Sequence, residues 1–123
     1  AGERGLPTIM VSGDDKVCRE ALSWMPEIVT CPVKTGLATQ SARLLPMAAA
    51  HRLIEAQAAL AVQRAGAGAI PPLVIPPPIT LRKEVIERGM LPTGLSDPAV
   101  RVLDARTMEV TAGSVEEAFA RLR

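Results

Sequence analysis

An apolar run near the start of the chain, "TIMVSGDDKVC", ends in a glycine and two adjacent aspartates. In open α/β sheets, ligands bind just beyond the carboxyl ends of the strands. Asp14 and Asp15 at such an end could hold a metal or position a substrate amine. A plainer role also suffices: one aspartate caps the helix that follows, and the other complements its N-terminal dipole. Lys34 follows the next apolar run and is expected at the same sheet edge as Gly13 to Asp15. From there it would bind a carboxylate or phosphate, or merely neutralise the acids.

Other reactive residues lack company. His51 is the single histidine, with Glu55 four residues on. Protein zinc sites ordinarily need three protein ligands, so His51 is read as a surface residue. Ser12 and Ser41 sit in no G-x-S-x-G elbow, and one histidine is all there is to serve as base. "AGAGAIPP" lacks the Lys-Ser/Thr of a phosphate loop. Cys18 falls inside a helix, where packing is the usual use. Cys18 and Cys31 have no metal-like spacing and are expected as free thiols, with a disulfide left open. Bottom-up, the chain lacks a self-contained active site.

The elements that must position these residues follow from pattern. Pro7 to Val11 reads as a short buried strand closed by Gly13. A helix is predicted over 16–24, with Val17, Ala21 and Trp24 towards the core and Pro26 ending it. Ile28 to Val33 reads as a second strand, with Pro32 at an edge or strand end. Strand, helix, strand in so short a span is a βαβ unit with parallel strands. "TGLATQSARLLP" reads as a loop or short helix. A long helix starts at Pro46, which suits a first turn. Its mostly apolar face is Ala50, Leu53, Ile54, Gln57, Leu60, Ala61 and Arg64, and it fades at Gly66 and Gly68.

Five of the eleven prolines fall between Pro71 and Pro78 and read as a stiff, extended connector. Thr80 to Ile86 reads as a strand, and "RGMLPTGLSDP" as a helix turn and loop. Val100 to Leu103 pairs with Met108 to Thr111 in a hairpin with "DART" at its tip. Ser114 and Glu117 form a capping box before a last helix over 115–122, with Val115, Phe119 and Leu122 on one side. The fold class is α/β: a βαβ parallel-sheet portion with a long helix (1–69), then an α+β part of strand, hairpin and final helix (70–123). It reads as an incomplete domain.

Composition narrows the function. The 123 residues suffice for one domain with a real core. Aromatics are 2%, leaving no platform on which bases or sugars would stack, and net charge is +1 with dispersed basic residues. Neither feature fits nucleic acid. No apolar run approaches a membrane span, and no signal peptide opens the chain. A cytoplasmic protein is expected.

The order of the pieces "LPTIMVSGDDKVCREA", "VKTGL", "SARLLP", "PPITLRKEV" and "VRVLDARTMEVTAGSVEEAFARLR" resembles the carboxyl-terminal part of the DppA-type D-aminopeptidases, a zinc metallopeptidase family. The likeness covers nearly the whole chain. It implies a hydrolase of short, D-amino-acid peptides that assembles into homo-oligomeric rings. The family's zinc ligands and catalytic histidine lie in its amino-terminal half: an S-x-D-x-E-G strand end, later histidines and a glutamate. None of these motifs occurs here, and His51 matches none of them. The resemblance therefore assigns no catalytic residue and no metal ligand to this chain. It places Asp14, Asp15 and Lys34 near the working edge of the sheet, as supporting or substrate-facing residues.

The chain opens on Ala1, with "AGERGLPT" resembling the helix end and loop that precede this strand in the family. A fragment, a split subunit or a cleaved product is the expectation, with a missing amino-terminal half or partner chain as its partner. Alone it is expected to be inactive, to bind no zinc, and to expose a strand edge and an apolar face beside Thr8 to Val11. Two other classes compete: a non-catalytic scaffold or remnant, and a receiver-like signalling domain. The latter needs a third aspartate and about five βα repeats, whereas this chain ends in a hairpin.

Overall fold

The computed structural model describes residues 1–92 and 97–122. They form two compact units, Ala1–Val74 and Ile75–Arg123.

In the first unit, β1 (Met10–Asp14), α1 (Asp15–Trp24) and β2 (Val29–Ala38) form the expected βαβ. The strands run parallel, from Met10 opposite Val29 to Asp14 opposite Lys34, with a bulge between Gly13 and Asp14. This pairing moves β1 three residues past the expected 7–11: the ladder begins at Met10 and carries through Gly13 to the first aspartate. Pro32 is tolerated inside β2 because it faces β1 alone. The third strand, β3 (Ser41–Leu44), joins β2 only from Lys34 onward. β3 corrects the expectation of a loop or short helix over 35–45. β2 continues to Ala38, turns at Thr39–Gln40 and returns antiparallel. Neither turn residue is the Gly, Asn or Asp that marks a hairpin in sequence.

The long helix α2 (Met47–Gly66) starts after Pro46 and ends at Gly66 as expected. Its residue Ala61 meets Val29 and Ile70 in the core of this unit, with Ile9 and Met10 packed around them. The expected core side of α1 is corrected. Val17 and Trp24 are exposed, and Cys18 is the buried residue of the helix. Cys18 and Cys31 are both buried and free. β1 is an outer strand of the sheet order β1-β2-β3. Its outer edge has no strand partner among the described residues.

The second unit is antiparallel throughout. β4 (Ile79–Glu84) and β5 (Val100–Val102) flank β6 (Thr107–Ala112). The hairpin register is Val100 opposite Val110 and Val102 opposite Met108. Alternation along β6 sends Met108, Val110 and Ala112 inward, against Ile79 of β4 and against Ala118 and Leu122 at the last helix. On the other face Glu109 takes Arg82 of β4 at 3.1 Å and Arg101 of β5 at 3.3 Å. α3 (Val115–Arg121) begins at Ser114, whose side chain accepts from the Glu117 amide at 3.0 Å. The Glu117 carboxylate in turn accepts from the Gly113 amide, one residue earlier than a capping box would place it. Ala118, not Phe119, is the buried residue of α3, and Phe119 is exposed. The loop expected over "RGMLPTGLSDP" lies partly outside the described residues.

Candidate functional site

The carboxyl end of β1 and the middle of β2 bring Asp14, Asp15 and Lys34 to one edge; Lys34 lies within β2, not after it as expected, because the strand continues to Ala38 in its hairpin with β3. Parallel pairing with α1 as the crossover forces the shared edge, since both strands run in the same direction. The two aspartates then take separate jobs. Asp14 is the N-cap of α1, and its Oδ1 accepts from the backbone amides of Lys16 at 3.0 Å and Val17 at 2.9 Å. Two orphan donors of the first turn are thereby satisfied.

Asp15, the first residue of α1, is clamped from three directions. Its Oδ1 accepts from the Gly36 amide on β2 at 2.9 Å. The Lys16 ammonium donates to both carboxylate oxygens, at 3.1 and 3.2 Å, and also to the Gly36 carbonyl. Arg19, one turn along the helix, donates to Oδ2 at 3.3 Å and to the Asp15 carbonyl at 3.2 Å. The Gly36 amide, followed by the Lys16 ammonium, holds the Asp15 carboxyl below its ordinary range. Asp15 is therefore an ionised clamp that ties the start of α1 to β2.

Two glycines let these elements approach. A Cβ on Gly13 would stand 2.5 Å from Val17 Cγ1, so a side chain there would force the Val17 side chain to move. A Cβ on Gly36 would stand 3.3 Å from Lys16 Cδ and Nζ and 3.5 Å from Asp14 Oδ2. Gly36, Lys16 and Arg19 are the residues that sequence reasoning missed. Lys16 was adjacent to the acids, but Gly36 had no signal until the β2–β3 hairpin placed it over them.

Lys34 stands apart from this knot. It lies opposite Asp14 in the ladder, yet no hydrogen bond or ion pair engages its ammonium among the described residues. Its side chain lines a groove of 530 Å³ with Asp15, Pro32, Thr35, Arg43 and Leu44, and an adjoining one of 230 Å³ with Asp14 and Gly36. The structure thus brings the three predicted residues to one edge without pairing Asp14 or Asp15 to Lys34.

Other candidates resolve as packing or surface. His51 is exposed on α2. Among the described residues no three His, Cys, Asp or Glu side chains come together as a metal set. Burial pushes the Cys18 thiol up, away from the reactive thiolate. Among the described residues, no helix is long and apolar enough to cross a membrane.

Comparison with known proteins follows the same lines. The family model described as D-aminopeptidase matches residues 1–123. A D-aminopeptidase of Bacillus subtilis (strain 168) is 35% identical over 63 residues, which is 51% of this chain and 23% of that protein. Among solved structures, the Zn-dependent D-aminopeptidase DppA from Bacillus subtilis, a self-compartmentalizing protease, aligns with a TM-score of 0.80 at 26% identity. That alignment covers 98% of this chain and 44% of the other. The chain spans less than half the length of these relatives.

Proposed function

The chain belongs to the D-aminopeptidase family, and from that premise we propose that it forms the substrate-facing, supporting portion of a zinc-dependent aminopeptidase acting on short peptides with D-residues. The observation that carries this reading is the family match over the whole chain, combined with a sheet edge at which Asp15 and Lys34 line a groove. The family match leaves a receiver-like domain without support.

The residues described here do not fit the zinc that the family implies. The lone histidine is exposed on α2, and Asp15 is already saturated by Gly36, Lys16 and Arg19. On this reading the metal ligands come from residues outside these 123, on an amino-terminal half or a partner chain. Bound there, zinc would supply a water activated for attack on the peptide carbonyl. The residues of this chain hold and orient. Asp14 and Asp15 fix the start of α1 against β2, and Lys34 offers an uncommitted positive charge to substrate. The reading extends to a homo-oligomeric, cytoplasmic enzyme, supported by the self-compartmentalizing relative and by two free, buried thiols.

The test measures zinc content and release of the amino-terminal residue from a D-alanyl peptide. It compares the 123-residue chain with the same chain joined to its upstream in-frame coding sequence. Stoichiometric zinc and turnover are expected only in the joined protein. Turnover by the 123 residues alone would overturn the division of labour. A zinc-loaded joined protein that cleaves nothing would overturn the peptidase reading.

A further inference from the structure

Asp14 and Lys34 share one face of the first unit's sheet. They are partners in the parallel ladder, and a Cβ on Gly36 would stand 3.5 Å from Asp14 Oδ2. Gly36 lies two residues beyond Lys34 on β2, so alternation sends the lysine to that same face. Ala42, opposite Gly36 on β3, belongs to it as well. These four residues accordingly line one groove, of 230 Å³. Gly36 and Ala42 together raise a single methyl group from this part of the sheet, which leaves room for a ligand.

Both charged residues have unused capacity. Asp14 Oδ1 accepts the two amides of the helix cap, whereas Oδ2 has no partner among the described residues. The Lys34 ammonium offers its donors to no group among them, and no ion pair joins it to Asp14. Lys16 and Arg19, the other cations nearby, are committed to Asp15. A free acceptor and a free donor of opposite charge on one groove select a ligand by its own charge pattern. A lone anion gains from Lys34 and is repelled by Asp14, and a lone cation meets the reverse. A net-neutral group with both charges a few bonds apart gains from both, through charge-assisted hydrogen bonds. The α-carbon of a free amino acid carries that arrangement. In a peptide the ammonium and the carboxylate sit on different residues. We propose that this groove binds a free α-amino acid as its zwitterion, the ammonium donating to Asp14 Oδ2 and the carboxylate accepting from Lys34. The proposal rests on the aminopeptidase reading for the source of the ligand, since removal of an amino-terminal residue releases an amino acid of this form. The charge pattern is the hairpin's own.

The test follows backbone amide resonances of residues 34–36 and 41–43 in the 123-residue chain. The titrants are D-alanine, N-acetyl-D-alanine, D-alaninamide and N-acetyl-D-alaninamide. The first carries both charges, the next two carry one each, and the last carries none. D-alanine is expected to shift these amides saturably and to bind roughly fivefold more tightly than either single-charge probe, the size of one exposed ion pair. Its binding should weaken as ionic strength rises. Lys34→Gln and Asp14→Asn should each remove the advantage. Asn caps a helix about as well as Asp, so the second variant takes away the charge and keeps α1. Equal binding of N-acetyl-D-alanine would overturn the proposal and reduce the groove to an anion site. Equal binding of N-acetyl-D-alaninamide would overturn it in favour of a plain peptide unit. No shift from any probe, or an advantage that survives both substitutions, would overturn it too. Cleavage is read separately. Zwitterion-selective binding by a chain whose joined form never cleaves would sink the peptidase reading and leave the groove's chemistry standing. Cleavage by the joined protein, with no such selectivity in the 123 residues, would do the reverse.

Discussion

The two units solve the same problem, covering a three-stranded sheet, with different success. In the second unit the central strand β6 buries Met108, Val110 and Ala112, and α3 closes the layer with Ala118 at 0% exposure. In the first unit β1 buries no residue fully. α2 is twenty residues long, yet only Ala61 on it is buried. Leu37, Leu44, Met47 and Val62 all stay more than half exposed. An antiparallel sheet needs one covered face and finds it in its own short helix. A parallel pair needs both faces covered and an edge protected, and a two-strand ladder with one hairpin supplies less. The half that carries the candidate site is the half with the looser core.

The strongest way to break this contrast is to hollow out the tighter unit. Met108→Ala removes a fully buried side chain at the centre of β6. It should cost about 2–5 kcal/mol, and amide exchange should accelerate most across β4, β5 and β6. An equal acceleration in β1 and β2 would show that the two units do not differ in this way. The matching change in the first unit is Cys31→Ser, which puts a hydroxyl where exposure is 0%. About 1–3 kcal/mol is expected, read by denaturant melts and by exchange at β1 and β2.

Acid should separate the units more gently. Asp15 in the first unit is held below its ordinary value of 3.8, chiefly by the Gly36 amide and then by Lys16. In the second unit Glu117 is held below 4.5, chiefly by the Gly113 amide and then by Arg121. A depressed carboxylate contributes stability that is fully present above its unfolded value and is lost as pH falls through its lower folded one. The Glu117 contribution should therefore begin to fade below about pH 4.5 and the Asp15 contribution below about pH 3.8, the respective unfolded values. Exchange of the Gly113 and Gly36 amides across an acid series reads the two separately. In Asp15→Ala the Gly36 amide should exchange faster at neutral pH and lose its acid step. Persistence of that step would mean another group causes it.

The same contrast explains what could be read from sequence. The hairpin and the helix start of the second unit were legible, because two short apolar runs around a polar tip and the Ser114–Glu117 pair are local signals. The βαβ order of the first unit was legible for the same reason, as was the shared edge of Asp14, Asp15 and Lys34. The β2–β3 hairpin was not, because Thr39–Gln40 carries no turn chemistry. Missing it hid Gly36, and with Gly36 the reason Asp15 is spoken for. The inward residues of the short helices were misjudged too. Trp24 and Phe119 are large and apolar, but Cys18 and Ala118 are small enough to sit where helix meets sheet.

The smallest expected effect bears most directly on function. Lys34→Gln should leave stability within about 0.5 kcal/mol of the unsubstituted chain, as surface changes away from caps, cores and networks do. Lys34 answers neither aspartate beside it: Asp14 is engaged by the first turn of α1 and Asp15 by Gly36, Lys16 and Arg19. Lys16→Gln is the control, since it removes the ammonium that bridges Asp15 and the Gly36 carbonyl and should loosen the Gly36 amide. If the melts instead fall as far for Lys34 as for Lys16, then Lys34 is part of the scaffold and its charge is not spare. If they do not, the fold gives no reason for a lysine at that position of β2, and the reason has to be sought in what the groove binds.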